Sequence, residues 1–132
     1  MSLLVIGAGF IGCEVAATAT QLGCTVTVTA FDKEPMIRPL GEHLGAAMKA
    51  HHEAHGVRFY LGVGVSEFHE DGVTLADGTR LTADVVIEAV GSVPNVEWLR
   101  GTDLELVDGV LTDNLMRAVH ADGTPLEVPV VA

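Results

Sequence analysis

The chain has 132 residues, 48% of them hydrophobic, which suits one folded domain with a real core. Lys and Arg number 7 against 18 Asp and Glu, a net charge of -11, so there is no basic stripe of the kind nucleic acid requires. No apolar run approaches the ~20 residues of a membrane-spanning helix, and the core begins within the first residues, where a signal peptide would otherwise stand.

Leu3 to Ile6 is a continuous apolar run, which predicts a strand buried on both faces of a parallel sheet. Gly7-Ala8-Gly9-Phe10-Ile11-Gly12 follows as Gly-x-Gly-x-x-Gly, and then a helix of small residues from Cys13 that stops near Leu22-Gly23. Strand, glycine turn and helix in that order are the context that gives the motif meaning. Gly7 allows the tight turn, Gly9 lets a pyrophosphate approach the backbone, and Gly12 lets the helix lie close on the sheet. The helix N-terminus offers free N–H groups to the phosphates. The plainer alternative is a glycine-tolerant turn in another kind of α/β domain. Cys13 and Cys24 are 11 apart, form no Cys-x-x-Cys, and read as packing residues of a cytoplasmic protein.

Thr25 to Ala30 predicts the second strand and completes a right-handed βαβ unit. An acid near this strand end would hold the adenosine ribose. Ala30 stands there instead, with Asp32 two residues on, so the choice between NAD and NADP stays open. Lys33 to Pro39 reads as a loop whose Arg38 either reaches the adenosine end or is a solvated charge. Gly41 to His55 predicts the second helix, with Leu44, Ala47, Met48, His51 and His55 on one face. His51 and His55 have the spacing of a metal pair but no third ligand, so a half-exposed face is the plainer reading.

Val57 to Leu61 predicts a third strand. Val63 to Phe68, Val73 to Ala76 and Thr79 to Thr82 are short runs joined at Asp71-Gly72 and Asp77-Gly78, a signal for type I′ hairpins. They predict a three-stranded antiparallel meander where a plain Rossmann fold has a crossover helix. Asp84 to Val90 predicts a buried strand, in which Glu88 either faces the sheet end or pairs with a cation. Val96 to Leu99 predicts a short helix packing Trp98, and Leu104 to Val107 and Val110 to Thr112 flank Asp108-Gly109. Val128 to Ala132 predicts a last buried strand, and its place at the chain end suggests an excised domain. The fold class is therefore α/β, a Rossmann-like central parallel sheet with helices and a β-meander crossover.

The glycine turn with Glu14, the Asp77-Gly78 meander, Gly91-Ser92-Val93-Pro94-Asn95 and the final Val-Pro-Val-Val-Ala together resemble a known family. They are similar to the NAD(P)H-binding domain of FAD-dependent pyridine-nucleotide reductases, of the ferredoxin, rubredoxin and putidaredoxin reductase type. The resemblance covers residues 1–132. It implies that Gly7, Gly9, Phe10, Ile11 and Gly12 contact the pyrophosphate, that Glu14 lies near the nicotinamide, that Val90 and Gly91 flank the nucleotide, and that Arg38 lies near the adenosine. Ala30 departs from the family's acid, and Asp32 is the candidate to take its place on the ribose. NADH is then preferred over NADPH with modest discrimination.

The implied chemistry is hydride transfer from NAD(P)H to FAD, then electrons onward to an iron-sulfur protein. The resemblance places the FAD on a flavin domain of the parent chain, outside this stretch. It implies that domain and a ferredoxin-like acceptor as partners, and neither nucleic acid nor membrane. No catalytic base is expected, and Glu14 reads either as a nicotinamide-positioning group or as a carboxylate of the helix first turn. Two other functions stay open, an FAD-binding module and a non-catalytic nucleotide-sensing domain. Glu14 speaks against the first, since flavin sites usually keep a small residue there.

Overall fold

A computed structural model describes residues 1–127, so the strand expected at Val128 to Ala132 lies outside the described residues. The chain divides into two compact units, Met1–Gly91 and a second from Ser92 onward.

The first unit runs β1 (Ser2–Ile6), α1 (Phe10–Gln21), β2 (Thr25–Ala30), α2 (Ile37–Ala54), β3 (Arg58–Leu61), β4 (Val65–His69), β5 (Gly72–Leu75), β6 (Arg80–Thr82) and β7 (Val85–Glu88). Two sheets form, a four-stranded one in the order β3-β2-β1-β7, parallel throughout, and a three-stranded antiparallel one in the order β4-β5-β6. The chain leaves the first sheet at β3, makes the meander, and returns on the far side of β1. The meander thus does the work of a crossover, as its position in the sequence predicts.

The apolar run of β1 shows why both faces of this sheet are covered. Leu3 and Val5 join Ala16, Ala19, Val26 and Val28 in one buried cluster with α1. Leu4 and Ile6, pointing the other way, join Val73, Leu75 and Leu81 of the meander in a second. None of the four is more than 7% exposed. At the opposite end of the strand, the Ser2 amide and hydroxyl donate to Asp84 Oδ2 at 2.6 and 2.9 Å, which ties β7 to β1 and lowers the Asp84 pKa.

Three local expectations are corrected. First, α2 starts at Ile37, inside the expected loop, after Met36 in the left-handed region (φ 52). It breaks at Gly41 (φ 77) and continues. Its buried residues are Gly45 and His52, while Leu44, Ala47, His51 and His55 are exposed. The helix lies so close to the preceding loop that a Cβ on residue 45 would sit 2.8 Å from the Pro35 carbonyl oxygen, so the glycine decides which face packs.

Second, the Asp-Gly turns are not type I′, which needs positive φ at both central residues. Among the described residues only Met36 and Met116 are non-glycine residues with positive φ. Leu75 accepts the Gly78 amide at 2.9 Å, and Gly78 alone is left-handed (φ 87), so a type I turn followed by a left-handed glycine closes that hairpin. The other hairpin turns on Glu70 and Asp71, between the paired His69 and Gly72.

Third, the expected helix at Val96 to Leu99 is a single 3-10 turn, Glu97–Leu99. It is too short to bury Trp98, which stays 76% exposed with its Nε1 donating to the Asn95 carbonyl at 3.1 Å. The rest of the second unit is held by single bridges, Leu104 to His120, Thr112 to Ala118 and Val119 to Pro125, around buried Ala118 and Val119. Leu111 donates to the Glu105 carbonyl across Asp108-Gly109, so the two expected runs meet without forming strands.

Candidate functional site: a cleft at the carboxyl end of the parallel sheet

β1, β2 and β7 end at Ile6, Ala30 and Glu88, and a cleft of about 590 Å³ opens beyond them. Its walls are the glycine turn with the start of α1, the segment from Thr29 to Asp32 with Arg38, the link from Val63 into β4 with Phe68, and the stretch Glu88 to Gly91. Open α/β sheets bind ligands at this end, where the strand order reverses on either side of the first strand.

The glycine turn is set by its surroundings. Gly7 donates to the Thr29 carbonyl at 2.8 Å, and a Cβ there would lie 2.2 Å from the Ala89 carbonyl oxygen. The turn is thus wedged between the ends of β2 and β7. A Cβ at Gly12 would lie 2.0 Å from the Gly7 carbonyl oxygen, which is the close packing expected of that position. Gly9 differs from both: a Cβ there would meet nothing within 4 Å. It is the N-cap of α1, and no side chain caps that helix. The amides of the first turn have no helical carbonyl behind them, and Gly9, Phe10 and Ile11 line the cleft.

The loop after β2 is fastened to this turn. The Met36 amide donates to the Ala8 carbonyl at 2.8 Å, and the amides of Gly62 and Val63 donate to the carbonyls of Asp32 and Ala30 at 3.0 and 3.3 Å. Arg38 Nε lies 3.3 Å from Asp32 Oδ2. Thr29 is 1% exposed, and its hydroxyl has no partner among the described residues.

The structure therefore brings Gly7, Gly9, Phe10, Ile11, Asp32, Arg38, Val90 and Gly91 together around one cleft. Gly12 lies beneath it. Glu14 is exposed in the second turn of α1 and does not line it, and since α1 begins at Phe10, the first-turn reading of Glu14 is corrected. The apolar wall of Phe31, Val63, Val65 and Phe68 carries no motif and is brought in by the fold alone. Glu88 ends β7 exposed and lines the cleft, which decides between its two expected roles in favour of the sheet end.

His51, His52 and His55, at the carboxyl end of α2, lie elsewhere, around a smaller hollow with Ala17, Thr20, Gln21 and Val57. His55 Nδ1 is 2.8 Å from the His51 carbonyl, and no group of three metal-ligating side chains occurs among the described residues. Burial, and then the neighbouring His51 and His55, push the His52 pKa down. Burial pushes the Cys13 thiol up, in keeping with a packing role.

The family described as pyridine nucleotide-disulphide oxidoreductase matches residues 1–122. Rhodocoxin reductase of Rhodococcus erythropolis is 39% identical over 121 residues, 88% of this chain and 28% of that protein. The biphenyl dioxygenase system ferredoxin–NAD(+) reductase component of Paraburkholderia xenovorans (strain LB400) is 39% identical over 116 residues, 85% of this chain and 28% of that protein. The covalent putidaredoxin reductase–putidaredoxin complex superposes with a TM-score of 0.80 at 33% identity, covering 87% of this chain and 29% of that one. The chain thus spans less than a third of the length of these relatives.

Proposed function

Because the chain belongs to the pyridine nucleotide-disulphide oxidoreductase family, we propose that its cleft takes NAD(P)H and that it is the nucleotide-binding domain of a longer, FAD-dependent reductase. The observation that carries this is Gly9, open on its Cβ side at the uncapped start of α1. A pyrophosphate there receives the free amides of the first turn and the positive end of the helix. The adenosine half lies over the end of β2, where Asp32 reaches for the ribose and Arg38 for the adenosine. The other half lies over Ala89 to Gly91.

When bound, the nucleotide supplies a hydride, for which FAD on the remainder of the parent protein is the acceptor. This chain's residues bind and orient. Glu14 stands outside the cleft, so its role at the nicotinamide depends on that remainder. A ferredoxin-like iron-sulfur protein is the onward electron acceptor, a reading supported by the name of the ferredoxin reductase relative and by the putidaredoxin complex. Among the described residues no helix is long and apolar enough to cross a membrane, and the free thiols of Cys13 and Cys24 fit a cytoplasmic place.

Calorimetric titration of the 132-residue chain with NADH and with NADPH tests this reading. Saturable binding of either, by a colourless preparation, is the expected result. Binding of neither would overturn it, and a stoichiometric yellow flavin spectrum would favour an FAD module instead.

A further inference from the structure

Resting on the nucleotide reading above, we infer that Glu88 holds the ribose of the nicotinamide half through its 2′- and 3′-hydroxyls. Ile6 is paired in register with Thr29 on β2 and with Glu88 on β7. Residues in one such row share a face of the sheet. That face is the meander side, because Ile6 packs there with Val73, Leu75 and Leu81. The row Thr29, Ile6, Glu88 thus crosses the carboxyl end of the sheet, and all three line the cleft. Glu88 is exposed, and it has no ion pair or side-chain hydrogen bond among the described residues. An unpaired carboxylate adds nothing to the packing of a central sheet. In a cleft it is a free pair of acceptors.

Its place selects the part of the ligand it meets. The glycine turn sits between β2 and β7, bonded to Thr29 on one side and against Ala89 on the other. A dinucleotide with its pyrophosphate on that turn sends one half over each strand. The β2 side holds Asp32 and Arg38 and takes the adenosine, so Glu88 faces the nicotinamide half. That half carries two kinds of donor, the ribose hydroxyls and the carboxamide. The ribose adjoins the pyrophosphate, and Glu88 lies in the row of Ile6, one residue before Gly7. The two oxygens of a carboxylate accept from vicinal hydroxyls, as an acid at the other strand end does for the adenosine ribose in dinucleotide folds. A phosphate would be repelled at the same spot, which keeps the pyrophosphate over α1.

The test uses three ligands that differ in this half: NADH, ADP-ribose, which keeps the second ribose, and ADP, which lacks it. Each is titrated into the parent chain, Glu88→Gln and Glu88→Leu, with thermal unfolding as the folding control. Glu88→Leu should weaken NADH and ADP-ribose by roughly 10- to 100-fold, the factor carried by hydrogen bonds to a charged group, and leave ADP unchanged. Glu88→Gln, which keeps one acceptor, should fall between. Unchanged NADH affinity in Glu88→Leu would overturn the inference. So would a loss confined to NADH, which would mean a carboxamide contact, or an equal loss for ADP. Absence of all binding to the parent chain would overturn the nucleotide reading itself, and the inference with it.

Discussion

Arg38 Nε lies 3.3 Å from Asp32 Oδ2 at the rim of the cleft, just past the end of β2. Arg38 is 81% exposed and Asp32 is half-buried, at 38%. Surface pairs of this kind contribute only about 0–1 kcal/mol, so either member can be drawn away by a ligand. Asp32 offers an acceptor to ribose hydroxyls, and Arg38 offers a cation to a 2′-phosphate. On the nucleotide reading proposed above, the pair would hold both preferences in check, with Ala30 adding nothing to either.

Nucleotide preference should respond to each element separately. Ala30→Glu adds an acceptor for the ribose and a repulsion for the 2′-phosphate. It should move the ratio of dissociation constants toward NADH by about 10- to 100-fold. Asp32→Asn frees Arg38 and should move the ratio toward NADPH. The ratios are compared at one fixed salt concentration, since exposed charges are screened. An unmoved ratio in Ala30→Glu would show that residue 30 does not face the ribose.

The glycines of the turn should separate stability from binding. A methyl group at Gly12 would have to displace the Gly7 carbonyl, 2.0 Å away. Gly12→Ala should therefore cost at least about 1–3 kcal/mol, seen as a lowered unfolding temperature. Gly9→Ala should leave that temperature nearly unchanged, because its Cβ meets nothing within 4 Å. Equal losses for the two variants would contradict this division of roles.

What was legible in the sequence follows from how local each signal is. Leu3 to Ile6 announces a doubly covered strand because every residue in it is apolar. Gly7 to Gly12 announces its turn because Gly7 and Gly12 exclude a side chain and Gly9 leaves the start of α1 open. The meander is legible from its spacing, although its turn type is not, since Asp71 and Asp77 keep negative φ and leave the left-handed position to a glycine. The packed face of α2 is not legible. Its apolar periodicity points to Leu44, but contact is set by Gly45, where the helix meets the Pro35 backbone. Phe68 and Val63 join the cleft through the return path of the meander, which no local pattern encodes. Glu88 stands out only as an oddity until the register with Ile6 places it.

His52 gives the fold an acid-sensitive point. The residue is 6% exposed, and its ring lies edge-on to Phe59, with centroids 6.1 Å apart. Burial, then His51 and His55, hold its pKa below the ordinary value. The other residues around the hollow, Ala17, Thr20, Gln21 and Val57, bring no carboxylate. The unfolded chain protonates His52 as pH falls through ~6.5, whereas the folded chain keeps it neutral to lower pH. The stability it contributes is thus full above that value and is lost as pH falls below it. The carboxylates with lowered pKa, such as Asp84, act only at more acid pH, near 4 and below. His52→Gln should flatten the unfolding temperature between pH 7 and 5. A slope identical to that of the parent chain would contradict this.

A dinucleotide pyrophosphate lying over Gly9 is tested most directly by calorimetric titration of NADH into the parent chain and into Gly9→Val. The substitution places methyl groups in the open space at the start of α1 and should leave the fold intact. Saturable NADH binding by the parent chain, and its loss in the variant at an unchanged unfolding temperature, are the expected results. Equal NADH affinity in a folded Gly9→Val would place the phosphates elsewhere and contradict this placement.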